Sequence, residues 1–308
     1  KMYLLCEKDE NINNDFLNKI NLLIKNNNLY ECMIECLYYS IVENKQPRYI
    51  TKVKVEINDK EMKDYLTIKL YEGISYITSL KELAKKGNMY ANAELGSLEF
   101  SGLITGSVDY ETCYSYYYKS ALKNHPKGCW MIANLIFTKR VNKDFDLAWK
   151  YLNKAIDLGS IAALNTMGNC YLNGITPNNK KDLNKAIKYY LEASEYGYVY
   201  AFNNLGKIYE KTNPDKSINY YKLSADLKES WALNKVAEYY RKSKDLKTAF
   251  IYYEEAINCP LREKNYYAYY NLAKYYYFDS DINKAIEYLT IAANNGIKEA
   301  KELLKILL

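Results

Sequence analysis

A short frame of residues returns six times along this chain, and no other feature limits its fold as tightly. The fullest copy is Ala201-Phe202-Asn203-Asn204-Leu205-Gly206-Lys207-Ile208-Tyr209: a small residue, Leu-Gly four and five places on, then Tyr. The frame recurs at Ala163 (Met167-Gly168, Tyr171), Ala232 (Val236-Ala237, Tyr240) and Ala268 (Leu272-Ala273, Tyr276). Weaker copies start at Gly128 (Ile132-Ala133, Ile136) and Ala91 (Leu95-Gly96). Successive starts lie 37, 35, 38, 31 and 36 residues apart, the length of one helix pair with its turns.

Each copy is followed by a second signature. Ala186, Tyr190, Ala193 and Gly197 give the clearest version; Ala148, Leu152, Ala155, Gly159 and Ala285, Leu289, Ala292, Gly296 match it. Ala249, Tyr253 and Ala256 match as far as Pro260, and Ser217, Tyr221 and Ser224 form a small-residue version ending at Lys228. Small residues at fixed places let two helix backbones approach, and Leu or Tyr at i, i+3 and i+4 fills the space between pairs. A glycine after the second helix supplies a left-handed stop. Asp182 and Asp281 precede second helices and suit their N-termini by capping and dipole.

The run Tyr171-Leu172-Asn173-Gly174-Ile175, then Asp182 to Ala186, Tyr190, and Ala193-Ser194-Glu195-Tyr196-Gly197, resembles the Sel-one-like repeat, a relative of the tetratricopeptide repeat. Six copies in register carry the resemblance over residues 80 to 308. Three features depart from the pattern: Glu99 stands where Tyr is expected, Cys113 takes an Ala place, and the spacing after Ala201 is short. The resemblance implies an all-α fold, a right-handed α-α superhelix of about six helix-turn-helix repeats spanning residues 73 to 308. The frame restarts at Ala300, so Leu303, Leu304, Ile306 and Leu307 are expected to cap the last pair.

Residues 1 to 72 do not fit the repeat and form a separate N-terminal region. Asp15 to Lys25 and Tyr30 to Glu43 carry helical spacing. After Pro47 the period changes: Val53, Val55 and Ile57 alternate with charged residues, as do Leu66, Ile68 and Leu70, across Asn58-Asp59-Lys60. A short β-hairpin is expected there, with a helix over Glu61 to Tyr71 as the alternative. Gly73 to Lys86 reads as the second helix of an incomplete first repeat, ending at Gly87.

Composition removes several function classes. Against 36 tyrosines stand only 12 glycines and 5 prolines, few turn-formers for an all-β chain of 308 residues. The charge of +6 comes from 43 basic and 37 acidic residues interspersed along helices. That pattern describes solvated faces, so no direct nucleic-acid contact is expected. Seven scattered cysteines include one close pair, Cys32 and Cys36, with no second pair at metal-ligand spacing. The expectation is reduced thiols, no metal or other cofactor, and a cytoplasmic setting, or a secreted one if a leader precedes Lys1. One histidine, His125 beside Pro126 in a turn, leaves no Cys-His or Ser-His set, and Glu254-Glu255 reads as helix surface. Phosphate loops and membrane-length apolar runs are also missing from the sequence. The chain is therefore expected to be non-catalytic; its oligomeric state is not written in it.

In tetratricopeptide-type superhelices the first helices line the concave surface, and the resemblance places the second and sixth residues after each small one there. The second positions are Ala93, Trp130, Asn165, Asn203, Asn234 and Tyr270. The sixth positions are Ser97, Asn134, Asn169, Lys207, Glu238 and Lys274. A side-chain amide both donates and accepts, so a row of Asn suits the backbone of an extended peptide. Trp130 and Tyr270 offer large rigid anchors, and Lys207 and Lys274 offer charges for carboxylates. The expected function is a protein- or peptide-binding scaffold. Two alternatives stay open: a peptide-sensing part of a transcription regulator with its DNA-binding domain upstream of Lys1, or a secreted effector that engages a host protein.

Overall fold

The computed structural model describes residues 2–7, 51–57, 60–61, 64–65, 76–259 and 265–308. Two compact units divide the chain at Gly197. The first contains strands β1 (Met2–Glu7) and β2 (Thr51–Ile57) and helices α1 (Tyr76–Lys85), α2 (Met89–Phe100), α3 (Tyr110–Leu122), α4 (Pro126–Phe137), α5 (Phe145–Asp157), α6 (Ile161–Asn173) and α7 (Leu183–Glu195). The second contains α8 (Val199–Tyr209), α9 (Pro214–Asp226), α10 (Ser230–Lys242), α11 (Leu246–Ile257), α12 (Tyr266–Phe278), α13 (Ile282–Asn294) and α14 (Lys298–Leu307). The fold is all-α and built from helix pairs. First helices are α2, α4, α6, α8, α10 and α12, and each packs against the second helix that follows it.

The frame maps onto the core one position at a time. Ala91, Ala163, Ala201, Ala232 and Ala268 are fully buried, and so are Leu95, Ile132, Leu205, Val236 and Leu272 four places on. On the second helices Ala148, Ala186 and Ala285 are equally buried, and Cys113 fills the same place in α3. The next position explains why some copies need glycine. A Cβ on Gly168 would lie 2.6 Å from the Tyr190 ring, on Gly206 2.4 Å from Tyr221, and on Gly96 2.8 Å from Tyr117. Where the second helix offers Leu152 or Leu289 instead, the first carries Ala133 or Ala273. Small against large and medium against medium keeps the helix pair at one spacing. Ala237 with Tyr253 departs from this rule.

Helix ends follow the same logic. Every second helix of a pair is capped by an acid or amide: Asp109, Asp144, Asp182, Asn213, Asp245 and Asp281 each accept from a first-turn N–H. The expected Asp182 and Asp281 caps lie 2.9 and 3.1 Å from the N–H groups of Lys185 and Lys284. After α7 the chain turns through Gly197 at φ 67°, and at the matching place after α9 Lys228 takes φ 56° without being glycine. The place of Pro260 lies outside the described residues.

Stacked tyrosines close one edge of the pairs. Tyr171 stacks on Tyr189 in the first unit; Tyr209 on Tyr220, Tyr240 on Tyr252 and Tyr276 on Tyr288 do so in the second. A lysine ammonium covers each pair: Lys185, Lys216, Lys222 and Lys284 lie 4.1–5.2 Å from a ring centroid. Such contacts add roughly 0.5–1 kcal/mol each at exposed sites.

The N-terminal region corrects part of the sequence expectation. Thr51–Ile57 is a strand, but its antiparallel partner is Met2–Glu7, with Met2 opposite Ile57 and Leu4 opposite Val55. The apolar run Met2 to Cys6 supplies the partner that the hairpin reading assigned to Leu66, Ile68 and Leu70. Lys60, Glu61, Asp64 and Tyr65 are helical, and residues 66–75 lie outside the described residues. So do the expected helices Asp15 to Lys25 and Tyr30 to Glu43.

Glu61 and Tyr65 fasten onto the first repeat. Glu61 Oε2 accepts from the Met89 N–H at 2.7 Å, its carbonyl accepts from Asn88 Nδ2 at 2.7 Å, and Lys123 pairs with its carboxylate. Tyr65 stacks on Tyr90 and joins Leu80, Leu83 and Leu95 in one core cluster. At the other end α14 covers α13 as expected: Ala300 is buried, and Leu303, Leu304 and Leu307 pack on Leu289 and Ala293. Ile306, expected in that cap, is 78% exposed because it falls outside the buried stripe of the helix.

Candidate functional site

The second position of the frame falls between neighbouring first helices, where it bonds sideways from repeat to repeat. In the first unit Trp130 Nε1 donates to Thr166 Oγ1 at 2.8 Å, from α4 to α6, with its ring half-buried. Asn165 is 7% exposed and Ala93 is buried. In the second unit Asn203 Nδ2 donates to Glu229 Oε2 at 2.9 Å, and Asn271 Nδ2 donates to Asn234 Oδ1 at 3.0 Å. Asn234 in turn donates to Glu238 Oε1 at 3.1 Å and is almost fully buried. Asn203 Oδ1 keeps no donor among the described residues.

At the sixth position the outcome depends on the second helix. In two repeats the core tyrosine of that helix reaches the sixth residue: Tyr190 donates to Asn169 Oδ1 at 2.7 Å, and Tyr117 to Ser97 Oγ at 3.2 Å. A buried phenol needs such a partner. Where leucine stands instead, as in α5 and α13, the sixth residues Asn134 and Lys274 are released from that duty. Lys207 is released too, because Tyr221 donates to Glu210 Oε1 at 2.6 Å. Of the residues expected to meet a ligand, Trp130 and Asn134 in the first unit and Lys207, Tyr270 and Lys274 in the second therefore combine accessible surface with available groups.

Around these the second unit gathers charges that frame reading at two positions overlooks. Lys235 lies 3.5 Å from Glu210 and 3.6 Å from Glu238, and covers the Trp231 ring. Lys274 stands over the Tyr270 ring at 4.7 Å. Its ammonium is pushed below the usual lysine value by burial and by the like charge of Arg241, with Glu238 opposing. The signal was available: Lys235 and Arg241 stand three and nine places after the small residue, each about one turn from the sixth.

Among the described residues, the remaining reactive groups are capping, buried or paired. His125 is the N-cap of α4, its Nδ1 accepting from the Gly128 N–H at 3.3 Å. Burial, helped by Lys127, holds it neutral with a pKa lowered to about 3. Burial pushes the thiols of Cys113 and Cys129 up to about 11 and that of Cys170 to about 12, which makes them inert core residues. Glu255 is paired with Lys228 at 2.9 Å on a helix surface. Among the described residues no group of three or more His, Cys, Asp or Glu side chains is placed to hold a metal ion, and no helix is long and apolar enough to cross a membrane.

The sequence matches the Sel1 repeat in six tandem copies, at residues 90–125, 128–160, 161–198, 199–229, 232–260 and 267–297. This chain belongs to the Sel1 repeat family. Its copies begin within two residues of the six frame starts, so the small residue marks the first turn of each Sel1 repeat. No curated protein matches the sequence. Among solved structures, a Sel1 repeat protein from Oxalobacter formigenes has a TM-score of 0.58 at 20% identity, over 76% of this chain and 95% of its own. A protective antigen of uropathogenic Escherichia coli strains, described as displaying an SLR fold, gives 0.53 at 20% identity over 96% of this chain, which spans 59% of that protein. Yeast Tom70 gives 0.52 at 16% identity, over 83% of this chain and 66% of its own. At these identities the likeness is one of fold. Sel1 repeats form protein-interaction scaffolds, and that description holds for this chain at the same level.

Proposed function

We propose that this chain binds a protein or an extended peptide along the exposed faces of its first helices. The residues assigned to that face are Trp130, Asn134, Asn165 and Asn169 in the first unit, and Asn203, Lys207, Asn234, Glu238, Tyr270 and Lys274 in the second. Their roles divide. Asn165, Asn169, Asn203, Asn234 and Glu238 hold the row in shape, since their side chains are buried or bonded within the fold. Trp130 and Tyr270 act as anchors, and Asn134, Lys207 and Lys274 supply the polar contacts.

One observation carries the reading: aromatic and polar groups recur at equivalent repeat positions on a face that second helices leave uncovered, beyond what the fold consumes. The proposed role is non-catalytic, and the burial of the histidine and of the three core thiols supports that reading. The test is affinity capture from the source cell with wild-type protein and two double variants, Trp130→Ala with Asn134→Ala, and Lys207→Ala with Tyr270→Ala. Unchanged melting temperatures with loss of the captured partner support the site. Undiminished capture by both variants sinks it.

A further inference from the structure

The rim where α10 and α12 end carries apolar side chains that the fold leaves in water. Two turns meet there, α10 to α11 and α12 to α13, both within the second unit. The Phe250 ring near the start of α11 lies 4.7 Å from Tyr275 and 5.8 Å from Tyr276 near the end of α12, which sets the turns side by side. The turns share one shape. Lys244 at φ 66° and Ser280 at φ 64° each precede a capping aspartate and then an exposed apolar residue, Leu246 or Ile282. Phe278 closes α12 at 81% exposure, its ring 5.7 Å from that of Tyr277, which is itself exposed. Single exposed apolar residues need no explanation, but a group of them on adjacent turns marks a contact surface.

Charge narrows what that surface meets. Lys242, Lys244 and Lys247 stand exposed at the first of these turns, while the ion pairs of the second unit use Lys228, Lys235 and Lys284. The acids of the two turns are largely engaged. Asp245 accepts from the Thr248 N–H at 3.1 Å; Asp281 accepts from the Lys284 N–H at 3.1 Å and faces that ammonium at 3.7 Å. Asp279 is the carboxylate left to oppose three lysines. Side chains that protrude from turn tips are shaped to insert, and a bilayer interface accepts aromatic and aliphatic groups at headgroup depth. Lysines beside them gain from a negative leaflet. We infer that this rim docks on an anionic lipid surface, with Phe278 and Leu246 entering the interface and Lys242, Lys244 and Lys247 lying against the headgroups. The contact is separate from the proposed peptide strip and does not rest on it.

Co-sedimentation with vesicles tests this at low ionic strength, where charge contacts are least screened. The probes are vesicles of phosphatidylcholine alone and vesicles in which phosphatidylserine makes up about a third of the lipid. The wild-type chain should partition onto the anionic vesicles at least about tenfold more strongly, since each lysine near such a surface contributes about fivefold. Lys242→Gln with Lys247→Gln should remove most of that excess. Lys150→Gln with Lys188→Gln, exposed lysines of the first unit, should keep it. Phe278→Ser with Leu246→Ser leaves the charge unchanged and should weaken partitioning about tenfold. Trp130→Ala with Asn134→Ala should bind vesicles like the wild type, so failure of the rim and failure of the peptide strip stay distinguishable. Each variant is checked for an unchanged melting temperature. Equal partitioning onto both vesicles, or none onto either, would overturn the lipid contact, and the second result would leave the rim to a protein partner. Anionic binding that the Phe278 and Leu246 changes do not weaken, or that survives the Lys242 and Lys247 changes, would overturn it as well.

Discussion

A glycine and the tyrosine that faces it set the distance between the two helices of a repeat. Gly168 has the Tyr190 ring atoms at 2.6, 2.8 and 3.0 Å from where a Cβ would sit, and both residues are locked in the core. Gly168→Ala should therefore destabilise the chain by about 1–3 kcal/mol through overpacking. Tyr190→Leu in the same chain should restore much of that, because Ala opposite Leu is what α4 with α5 and α12 with α13 already use. Urea denaturation of the single and double variants reads both effects. His125 gives a second test at this scale. Its pKa is lowered to about 3 when folded, against 6.5 for an unburied histidine. Above pH 6.5 both states are neutral and its full stabilising effect is present. As pH falls below that value the unfolded chain takes up a proton that the folded chain refuses, so stability is lost until the folded pKa is reached. Between pH 7 and 5 that amounts to about 2 kcal/mol. His125→Asn keeps a capping side chain, as Asn88 and Asn265 do. It should show a flatter melting temperature over that range; an equal slope would mean the imidazole titrates freely in the fold.

At the scale of elements, helices and their ends were largely legible in the sequence, because the information is local. Small residues at fixed spacing, Asp182 and Asp281 before second helices, and Gly197 after one are each read within a single turn. What stayed hidden depends on matching across distance. Glu61 and Tyr65 seal the start of the repeats through Met89, Lys123 and Tyr90, and nothing near them in sequence announces those partners. Thr51–Ile57 was recognisable as a strand by alternation, whereas its mate at Met2–Glu7 lies more than forty residues away and alternation does not name it. Likewise, whether a sixth-position residue is spent depends on where the hydroxyl of the second helix goes, since Tyr190 reaches Asn169 whereas Tyr221 passes Lys207 for Glu210. Asn169 and Asn134 look alike in the frame, yet one accepts the Tyr190 hydroxyl and the other faces Leu152's helix without that demand. The turn between α10 and α11 offers a check on the end chemistry. Lys244 adopts φ 66°, where a side chain is strained. Lys244→Gly should raise stability by about 1 kcal/mol in chemical denaturation.

On the scale of the whole molecule, the repeats separate two duties. Second helices and the buried half of the first helices hold each pair together, while in the proposed function the exposed strip of the first helices carries recognition. Side chains on this strip also join one first helix to the next, the Trp130 indole with Thr166 and the Asn234 amide with Asn271. Stitching sets the spacing between repeats, so it positions the anchors and charges between which a partner would lie. The division of labour makes a direct prediction about which surface meets the partner. A photo-crosslinking amino acid placed at Asn134 or Lys207, on first helices, should capture the partner. The same group at Lys188 or Ile251, on exposed faces of second helices, should not. Partner adducts confined to the first pair of positions are the result this account predicts; adducts from Lys188 or Ile251, with none from Asn134 or Lys207, would contradict it.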